Sequence, residues 1–260
     1  MQKQNNLAVV IPVYNESSCI EKVVDEWIGA LSFQKINFSI ILVNDGSTDN
    51  TLEVLNQLDK KHSQLYILDQ VNGGHGNALI NGYRAAIEMK PEYIFQVDSD
   101  DQFKPSDFSK LWALRNESQF ISGIRHQRND PWFRIVISKI LKATLNLSIG
   151  IKVADANIPY RLMKTDLLEA MLHCLPLNCF APNVFISVLA KSYLGSYPEV
   201  EVEHIERQTG QVSLIRLGLL KACARTFFEL LKFSFELNYK VSKIELELNQ
   251  KNFELEKLYA

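Results

Sequence analysis

The sequence predicts an α/β protein with a mostly parallel central sheet and helices on both faces. Short apolar runs alternate with amphipathic helical patterns through the first half of the chain. Each run ends in polar or Gly-rich residues, as strands that feed crossover helices do. With 260 residues, of which 47% are hydrophobic and 22% charged, the chain has enough apolar side chains for an ordinary globular core.

Four strand-like runs in the first half set the order of the predicted elements. A short apolar run without helical spacing is typical of a strand that is buried on both faces. Helical patterns follow the first three runs. Ser17 or Ser18 is the expected cap of the first helix, and a Gly-rich loop precedes the third. The predicted strands cover residues 7–13, 38–43, 65–68 and 93–97.

The second half is less regular. Residues 120–123 have the pattern of a short strand, and residues 200–204 alternate as a half-buried strand does. Between them, residues 132–149 show a helical apolar pattern that includes basic positions.

The end of the chain predicts a helical extension. Residues 214–237 are strongly apolar, apart from five charged side chains that share one helical stripe. Residues 244–260 predict a solvated helix or a frayed tail. We therefore expect one domain over residues 1–210 and an amphipathic helical extension over residues 211–260. The five charged residues are Lys221, Arg225, Glu229, Lys232 and Glu236.

Composition excludes some classes of function. A net charge of −2 gives no general attraction to nucleic acid. The four cysteines contain no C-x-x-C pair and are expected to be small buried hydrophobes in a reducing compartment. A polar start predicts no signal peptide. No apolar run approaches about 20 residues, so we expect a chain that is soluble or attached to a membrane surface.

Asp98 and Asp100 are the most informative residues of the sequence. A predicted buried strand ends directly before them, at the edge where open α/β sheets bind ligands. Alternate residues of an extended segment point to the same side, so the two carboxylates can converge. Hard oxygen ligands suit Mg²⁺ or Mn²⁺, which complete their shell with water and substrate phosphates. The pair predicts a metal that holds a diphosphate, although Asp is also common at strand ends.

Two further carboxylates and a Gly-rich loop fall on the same predicted edge. Glu16 follows the first strand and Asp45 follows the second, where a carboxylate can bind a base or a ribose hydroxyl. The alternatives are a helix N-terminal charge for Glu16 and an Asx turn for Asp45. Gly74 and Gly76 open a helix whose amino end favours anions, and a flexible turn is the alternative there.

Four segments resemble one known family. They are V-I-P-V-Y-N-E at 10–16, V-N-D-G-S-T-D at 43–49, G-H-G-N-A at 74–78 with Gly82, and D-S-D at 98–100. Together they resemble a family 2 glycosyltransferase with the GT-A fold. The resemblance is closest to the dolichol-phosphate mannose synthase and polyprenyl-phosphate glycosyltransferase branch, and it covers about residues 8–213.

Weaker motifs of the same branch fall in the second half. Residues 123–125 resemble its G-x-R, Arg134 with Ser138 fits R-x-x-x-S, and residues 207–210 resemble R-x-x-G. Gln102 stands where this branch often supplies a further metal contact. The sequence also departs from the branch, because Ile158-Pro159 replaces the Ser-Gly of D-x-x-S-G-F-R. The common G-x-S-K is one residue longer and lacks its Lys.

The resemblance implies an inverting transfer of a sugar from a UDP- or GDP-sugar to a polyprenyl phosphate. It implies donor binding by Pro12, Tyr14, Glu16, Asp45, Gly74, Gly76 and Asp98. It implies that Asp98, Asp100 and Gln102 hold Mg²⁺ or Mn²⁺. It implies that Arg125, Arg134 and Arg207 bind the acceptor phosphate, since Arg suits fork-like phosphate contacts. Taken singly, each of these arginines also fits a solvated surface charge.

The acceptor decides whether a catalytic base is needed. A lipid phosphate is already an anion, whereas a hydroxyl acceptor normally needs a carboxylate base. No Glu-Asp pair follows residue 165 where many hydroxyl-acceptor relatives carry theirs, which favours a phosphate acceptor. Asp155 is the candidate base for a hydroxyl. The alternatives are a soluble family 2 enzyme acting on a saccharide or protein hydroxyl, and an inactive regulator that binds nucleotide-sugar.

The expected location is cytoplasmic, peripheral on the cytoplasmic face of a membrane. The apolar arc of residues 214–237 fits a helix lying in a membrane interface, with residues 132–149 as its companion. The alternative is a helix that packs on the catalytic domain or on a second subunit. Monomer and homo-oligomer both stay open.

Overall fold

The computed structural model describes residues 6–125, 150–177, 179–205 and 216–259. The strands in these ranges are β1 (Leu7–Val13), β2 (Phe38–Asp45), β3 (Leu65–Gln70), β4 (Tyr93–Val97), β5 (Phe120–Arg125), β6 (Tyr160–Lys164) and β7 (Glu199–Val202). The helices are α1 (Ile20–Phe33), α2 (Thr51–Lys61), α3 (His75–Glu88), α4 (Phe108–Ala113), α5 (Thr165–Leu172), α6 (Pro182–Leu194) and α7 (Arg216–Tyr259). A 3₁₀ turn covers Pro105–Asp107.

All these strands form one sheet in the order β3-β2-β1-β4-β6-β5-β7. The first four strands of that order are parallel, β6 is antiparallel to both of its neighbours, and β5 and β7 are parallel. The prediction of a mostly parallel sheet is therefore confirmed. Every residue of β1 and β4 is buried, as their unbroken apolar runs require.

Helices cover both faces of the sheet. Trp27 of α1 packs against Phe95 of β4 on one face, with ring centroids 5.3 Å apart. On the other face, a Cβ added to Gly82 of α3 would lie 2.5 Å from Val10 Cγ1 and 2.9 Å from Val43 Cγ2. A glycine is therefore needed at position 82, because a larger residue would push α3 away from β1 and β2.

The structure corrects three sequence predictions. The residue that precedes α1 is Cys19, not Ser17 or Ser18, and the hydroxyl of Ser17 instead donates to Asp49. β6 was not predicted as a strand. The final 44 residues of regular structure form one helix, α7, where the sequence predicted two segments separated near residue 240. The predicted helix over residues 132–149 lies outside the described residues.

The chain divides into two compact units. The first unit takes in Met1–Asn129, Ile158–Thr165 and Pro198–Ser213, and the second takes in Asp130–Asn157, Asp166–Tyr197 and Leu214–Ala260. The first unit contains the sheet. In the second, α7 packs on α6 through an edge-to-face contact of Phe233 with Phe185, whose ring centroids are 5.0 Å apart. The predicted domain boundary after residue 210 falls outside the described residues and stays a prediction.

No helix within the described ranges is both long and apolar enough to cross a bilayer.

Candidate active site

Asp98 and Asp100 follow β4 at the carboxyl edge of the sheet. β4 lies beside β1 in parallel register, so the D-x-D segment leaves the sheet next to the loop that follows β1. The side chain of Asp98 is 26% exposed, and its Oδ1 lies 3.9 Å from Nε2 of His75, the first residue of α3. Ser99, between the two carboxylates, is buried. The predicted metal pair therefore faces the same edge as the Gly-rich loop.

The loops after β1 and β2 are joined by hydrogen bonds. The backbone N–H of Asn15 donates to Ser47 Oγ over 3.0 Å, and the N–H of Thr48 donates to Asn15 Oδ1 over 2.7 Å. The N–H of Glu16 donates to Thr51 Oγ1 over 2.9 Å. Asn15 adopts a left-handed backbone with φ of 55°, which Asn tolerates better than most residues. The two loops therefore form one ordered wall of the site.

Asp45 organises the Gly-rich loop. It is the last residue of β2, is 3% exposed, and stands opposite Gln70 in the parallel pair of β2 with β3. Its Oδ1 accepts hydrogen bonds from Nε2 of Gln70 (2.7 Å) and from the N–H of Gly73 (2.8 Å). Its carbonyl accepts one from Nδ2 of Asn72 over 2.8 Å. The sequence-predicted nucleotide contact is thus also a structural anchor.

Gln70 and Asn81 were not identified from the sequence. Nδ2 of Asn81, on α3, donates to Oε1 of Gln70 over 2.8 Å, so Gln70 is held at both ends of its amide. The sequence does contain a signal for Gln70, a polar residue at the end of a strand adjoining the one that ends in Asp45. No sequence pattern indicates Asn81, because its contact depends on how α3 packs.

Glu16 lies where the first loop meets the D-x-D segment. It is 5% exposed, and its Oε2 accepts a hydrogen bond of 3.2 Å from the thiol of Cys19. The same thiol lies 3.5 Å from the carbonyl oxygen of Ser99. The Glu16 carboxylate is thus turned towards the interior at this point, and its predicted contact with the nucleotide stays a prediction.

The residues after the D-x-D segment are fixed on two sides. Asp101 has a left-handed backbone with φ of 58° and forms an ion pair with Lys22 of α1. Nε2 of Gln102 donates to the carbonyl of Ile205 over 2.9 Å, and the N–H of Ile205 donates to the carbonyl of Gln102 over 3.0 Å. The structure therefore shows Gln102 joining two backbone segments, and its predicted metal contact stays a prediction.

Buried polar side chains lie on β4 and β6 beneath the site. The hydroxyl of Tyr83 donates to Oε1 of Gln96 over 2.7 Å. Burial raises the pKa of Tyr83 far above its ordinary value, and the charge of Asp98 raises it further, while Arg161 acts in the opposite direction. Arg161 is fully buried in β6 and donates from Nε and Nη2 to the carbonyl of Ile158, over 3.1 and 2.7 Å. Tyr83 is therefore a neutral hydrogen-bond donor.

The other residues predicted to contact the nucleotide-sugar lie along the same edge of the sheet. Pro12 is buried within β1, and Tyr14 is half-buried in the loop that follows it. Gly74 precedes α3 with φ of 83°, a backbone that favours glycine, and it is exposed. Gly76 is buried in the first turn of α3.

The predicted acceptor residues are less completely described. Arg125 ends β5, opposite Val202 of β7, and is half-buried. Arg134 and Arg207 lie outside the described residues. Asp155 belongs to the second unit and is 8% exposed.

The carboxylates of Asp98 and Asp100 fit a divalent cation whose remaining ligands come from a substrate and from water. Among the described residues, no group of three or more His, Cys, Asp or Glu side chains is arranged to hold a metal ion. Mg²⁺ and similar ions are commonly held by one or two carboxylates together with substrate phosphates and water. Two aspartates at an open sheet edge match that pattern. A site in which the protein supplies every ligand would need more carboxylates than these two.

The D-x-D pair and the two hydrogen-bonded loops at the carboxyl edge of this sheet are features of the GT-A class of fold. The chain belongs to glycosyl transferase family 2, which its residues 8–172 match. The family and the fold predicted from the sequence are thereby confirmed.

Two similar curated proteins come from bacteria. The undecaprenyl-phosphate 4-deoxy-4-formamido-L-arabinose transferase of Proteus mirabilis (strain HI4320) is 30% identical over 223 residues, which are 84% of this chain and 66% of the relative. The protein of that name from Edwardsiella ictaluri (strain 93-146) is 28% identical over 218 residues, 83% of this chain and 64% of the relative. The chain thus spans just under two thirds of the length of these relatives.

Solved structures share the fold. Glucosyl-3-phosphoglycerate synthase from Mycobacterium tuberculosis, in complex with Mn²⁺, UDP-glucose and phosphoglyceric acid, has a TM-score of 0.66 at 18% identity. That match covers 88% of this chain and 80% of the synthase. At this level of identity the likeness concerns the fold alone.

Proposed function

We propose that this chain transfers a sugar, with inversion, from a nucleoside-diphosphate sugar to a polyprenyl phosphate. The observation that carries the proposal is the placement of Asp45, Asp98 and Asp100 on one edge of the sheet, at the ends of β2 and β4, the two strands that flank β1. The named activity of the curated relatives supports the polyprenyl-phosphate acceptor.

The nucleobase would bind at Asp45. Both hydrogen bonds described for this carboxylate end on Oδ1. Its other oxygen, Oδ2, can therefore accept a hydrogen bond from a ligand. Uracil and guanine carry a ring N–H that can donate to a carboxylate, whereas cytosine presents a ring lone pair at the corresponding position. The arrangement therefore favours a UDP- or GDP-sugar over a CDP-sugar.

Asp98 and Asp100 would hold Mg²⁺ or Mn²⁺. When bound there, the ion supplies positive charge that neutralises the leaving diphosphate. The structural neighbours from Mycobacterium tuberculosis contain Mn²⁺ with UDP or UDP-glucose, which supports the same class of ion here. The protein contributes orientation, because the loops after β1 and β2 fix where the nucleotide can lie.

The acceptor would be an anion. A phosphate monoester is deprotonated at neutral pH and can attack without a protein base, while Arg125 at the end of β5 can pair with it. Arg134 and Arg207 are proposed as its further partners. A hydroxyl acceptor, with Asp155 as base, is the second candidate. The phosphoglyceric acid in the neighbouring synthase structures favours including a soluble acceptor in the test.

A lipid acceptor requires contact with a membrane surface. We infer that the chain is peripheral on the cytoplasmic face of a membrane, an inference supported by the amphipathic sequence pattern of residues 132–149. Cosedimentation with anionic vesicles that contain polyprenyl phosphate tests this inference. A chain that stays in the supernatant would refute it.

A donor and acceptor screen tests the function. UDP-, GDP- and CDP-sugars are incubated with Mn²⁺ or Mg²⁺, with undecaprenyl phosphate, with phosphoglyceric acid, or without acceptor, and released nucleotide is measured. Nucleotide release that depends on undecaprenyl phosphate, with sugar recovered in the lipid extract, supports the proposal. Turnover with the soluble acceptor alone selects the second candidate. Binding of UDP without turnover in any mixture indicates an inactive nucleotide-sugar-binding protein.

A further inference from the structure

Helix α7 carries a row of exposed apolar side chains, which we call the outer stripe. Its members are 58 to 90% exposed, with Phe235 the most exposed of them. Large apolar side chains in a contiguous exposed row usually mark an interaction surface. The outer stripe consists of Phe228, Phe235, Tyr239, Leu246 and Phe253.

The outer stripe is straight and narrow. At about 100° per residue, its five members fall within about 40° of one another on the helix circumference. It runs from Phe228 to Phe253, which is about 38 Å along the helix axis. A row of this length and straightness matches a second helix lying along α7 better than it matches a pocket for a small ligand.

The opposite face of α7 is already buried within the second unit. Its apolar side chains point about 170° away from the outer stripe. Phe233 packs on Phe185 of α6, and Lys251 bridges to Asp166 and Glu169 of α5. A helix that packs on one side only is normally polar on the other. The buried side chains of α7 are Thr226, Leu230, Phe233, Leu237, Ile244 and Leu248.

The spacing of the outer stripe is that of a two-stranded coiled coil. Successive members are separated by seven, four, seven and seven residues, so they occupy five of the eight a and d positions of a heptad repeat between residues 228 and 253. The other three hold Lys232, Ser242 and Asn249. We propose that the outer stripe is a dimerisation surface, on which α7 of a second copy of this chain lies antiparallel.

An antiparallel register makes the stripe complementary to itself. Placing Phe228 opposite Phe253 of the second copy also places Phe235 opposite Leu246 and Lys232 opposite Asn249. In the same register, Glu236 flanks Lys243 of the second copy, and by symmetry Lys243 flanks its Glu236. The register also places Tyr239 opposite Ser242. Four of the five stripe residues therefore meet another stripe residue, and the flanking charges Glu236 and Lys243 are of opposite sign.

Charge and area favour a protein partner over a lipid surface. Residues 225–259 contain six basic and six acidic side chains, whereas helices that lie on anionic membranes are rich in Lys and Arg. Aromatic side chains bury about 200 Å² each, so the exposed parts of the stripe offer roughly 700 Å² per chain. That is close to the ~800 Å² per partner of a standard interface.

Charge insertion tests the surface. Light scattering after size exclusion should give twice the chain mass of 29.7 kDa for the unmodified protein. Phe235→Lys and Leu246→Lys should each raise the dimer dissociation constant by at least about 30-fold, since buried aromatic and aliphatic anchors dominate such interfaces. Gln57→Lys adds the same charge to an exposed position of α2, outside α7, and should leave the dimer intact. A monomeric unmodified protein, or lysine variants that dimerise normally, would overturn the proposal.

Cysteine pairs test the register. Lys232→Cys and Asn249→Cys proteins, mixed and oxidised, should form a disulfide-linked heterodimer above the background of the unmodified chain, and neither should link to itself. Self-linking of both single variants would show a parallel arrangement and contradict the register.

A separate experiment sediments the unmodified and the Phe235→Lys proteins with anionic vesicles. If the unmodified protein is monomeric and binds the vesicles, and the Phe235→Lys protein does not bind them, the stripe is a membrane contact and the proposal is wrong.

Discussion

Nε2 of Gln70 donates a hydrogen bond of 2.7 Å to Oδ1 of Asp45, and Asn81 holds the other end of the same amide. Because Asn81 donates to Oε1 of Gln70, the amide cannot rotate without losing both bonds. This chain of contacts determines which oxygen of Asp45 faces the carboxyl edge of the sheet. Gln70 and Asn81 are thus positioning residues for the proposed nucleotide site.

Gln70→Leu should weaken donor binding. The substitution removes one hydrogen bond to a buried carboxylate, and such bonds to charged groups are worth about 1.5–3 kcal/mol. We expect the KM for the donor, and the Kd for the free nucleoside diphosphate, to rise about tenfold or more, with kcat nearly unchanged. Calorimetric titration with UDP measures the binding term separately. A change in kcat with unchanged binding would contradict a role in positioning Asp45.

Asp100→Asn should abolish nucleotide release while the protein stays folded. Even indirect supports of metal sites contribute about 10–100-fold to affinity or activity, so loss of a direct carboxylate should cost at least about 100-fold. Asp101→Asn is the matched control. It makes the same change one residue away, in a carboxylate that pairs with Lys22, and should retain most activity. Equal losses in both variants would argue against Asp100 as a metal ligand.

Gly82→Ala should destabilise the fold, and Gly29→Ala should not. The new methyl group at position 82 would lie 2.5 Å from Val10 and force α3 away from the sheet, which typically costs about 1–3 kcal/mol. At Gly29 in α1, nothing lies within 4 Å of the added Cβ, so the gain in helix propensity of about 0.5–1 kcal/mol should dominate. Urea unfolding of the two variants measures both differences.

Asp49 should contribute a pH-dependent part of the stability. Burial raises the pKa of Asp49, but hydrogen bonds from Thr51 and Ser17 outweigh it and hold the pKa below its ordinary value. A lowered pKa in the folded state stabilises the protein above the unfolded-state value of about 3.9. That stabilisation is lost as the pH falls through the lowered value.

The corresponding variant isolates this effect. The difference in unfolding free energy between the unmodified protein and Asp49→Asn should be larger at pH 7 than at pH 3. Denaturant unfolding at both pH values gives the comparison. A difference that grows as the pH falls would have the wrong sign for a lowered pKa.

Local patterns predicted the first four strands because each is a buried apolar run that ends in polar residues. β6 escaped prediction because its second residue is Arg161, whose charge conflicts with a buried strand. The conflict disappears only in the folded protein, where the guanidinium donates to the carbonyl of Ile158. The start of α1 directly after Cys19 was missed for a similar reason, since Ser17 binds Asp49, which is distant in sequence.

The residues of the candidate site also fall into those that local sequence patterns predict and those that depend on tertiary contacts. Asp45, Asp98 and Asp100 could be predicted, because the ends of parallel strands meet at one edge whatever the details of packing. Gln70, Asn81 and the inward turn of Glu16 could not, because each depends on contacts between elements distant in sequence. For α7, the sequence pattern indicated a charged stripe. The structure shows that one apolar face of the helix is buried and that a second apolar row is exposed.

The place of β6 in the sheet sets an order of events during protein synthesis. Among the described strands, β5 pairs with β6 and β7 alone, and both are encoded after it. A nascent chain can therefore assemble β1 to β4 early, but β5 has no neighbour until the ribosome has passed residue 164. Until then the open side of β4 is an unprotected sheet edge, the kind of surface that pairs with other chains. Shortened versions that stop before residue 160 should therefore precipitate rather than yield a smaller working enzyme.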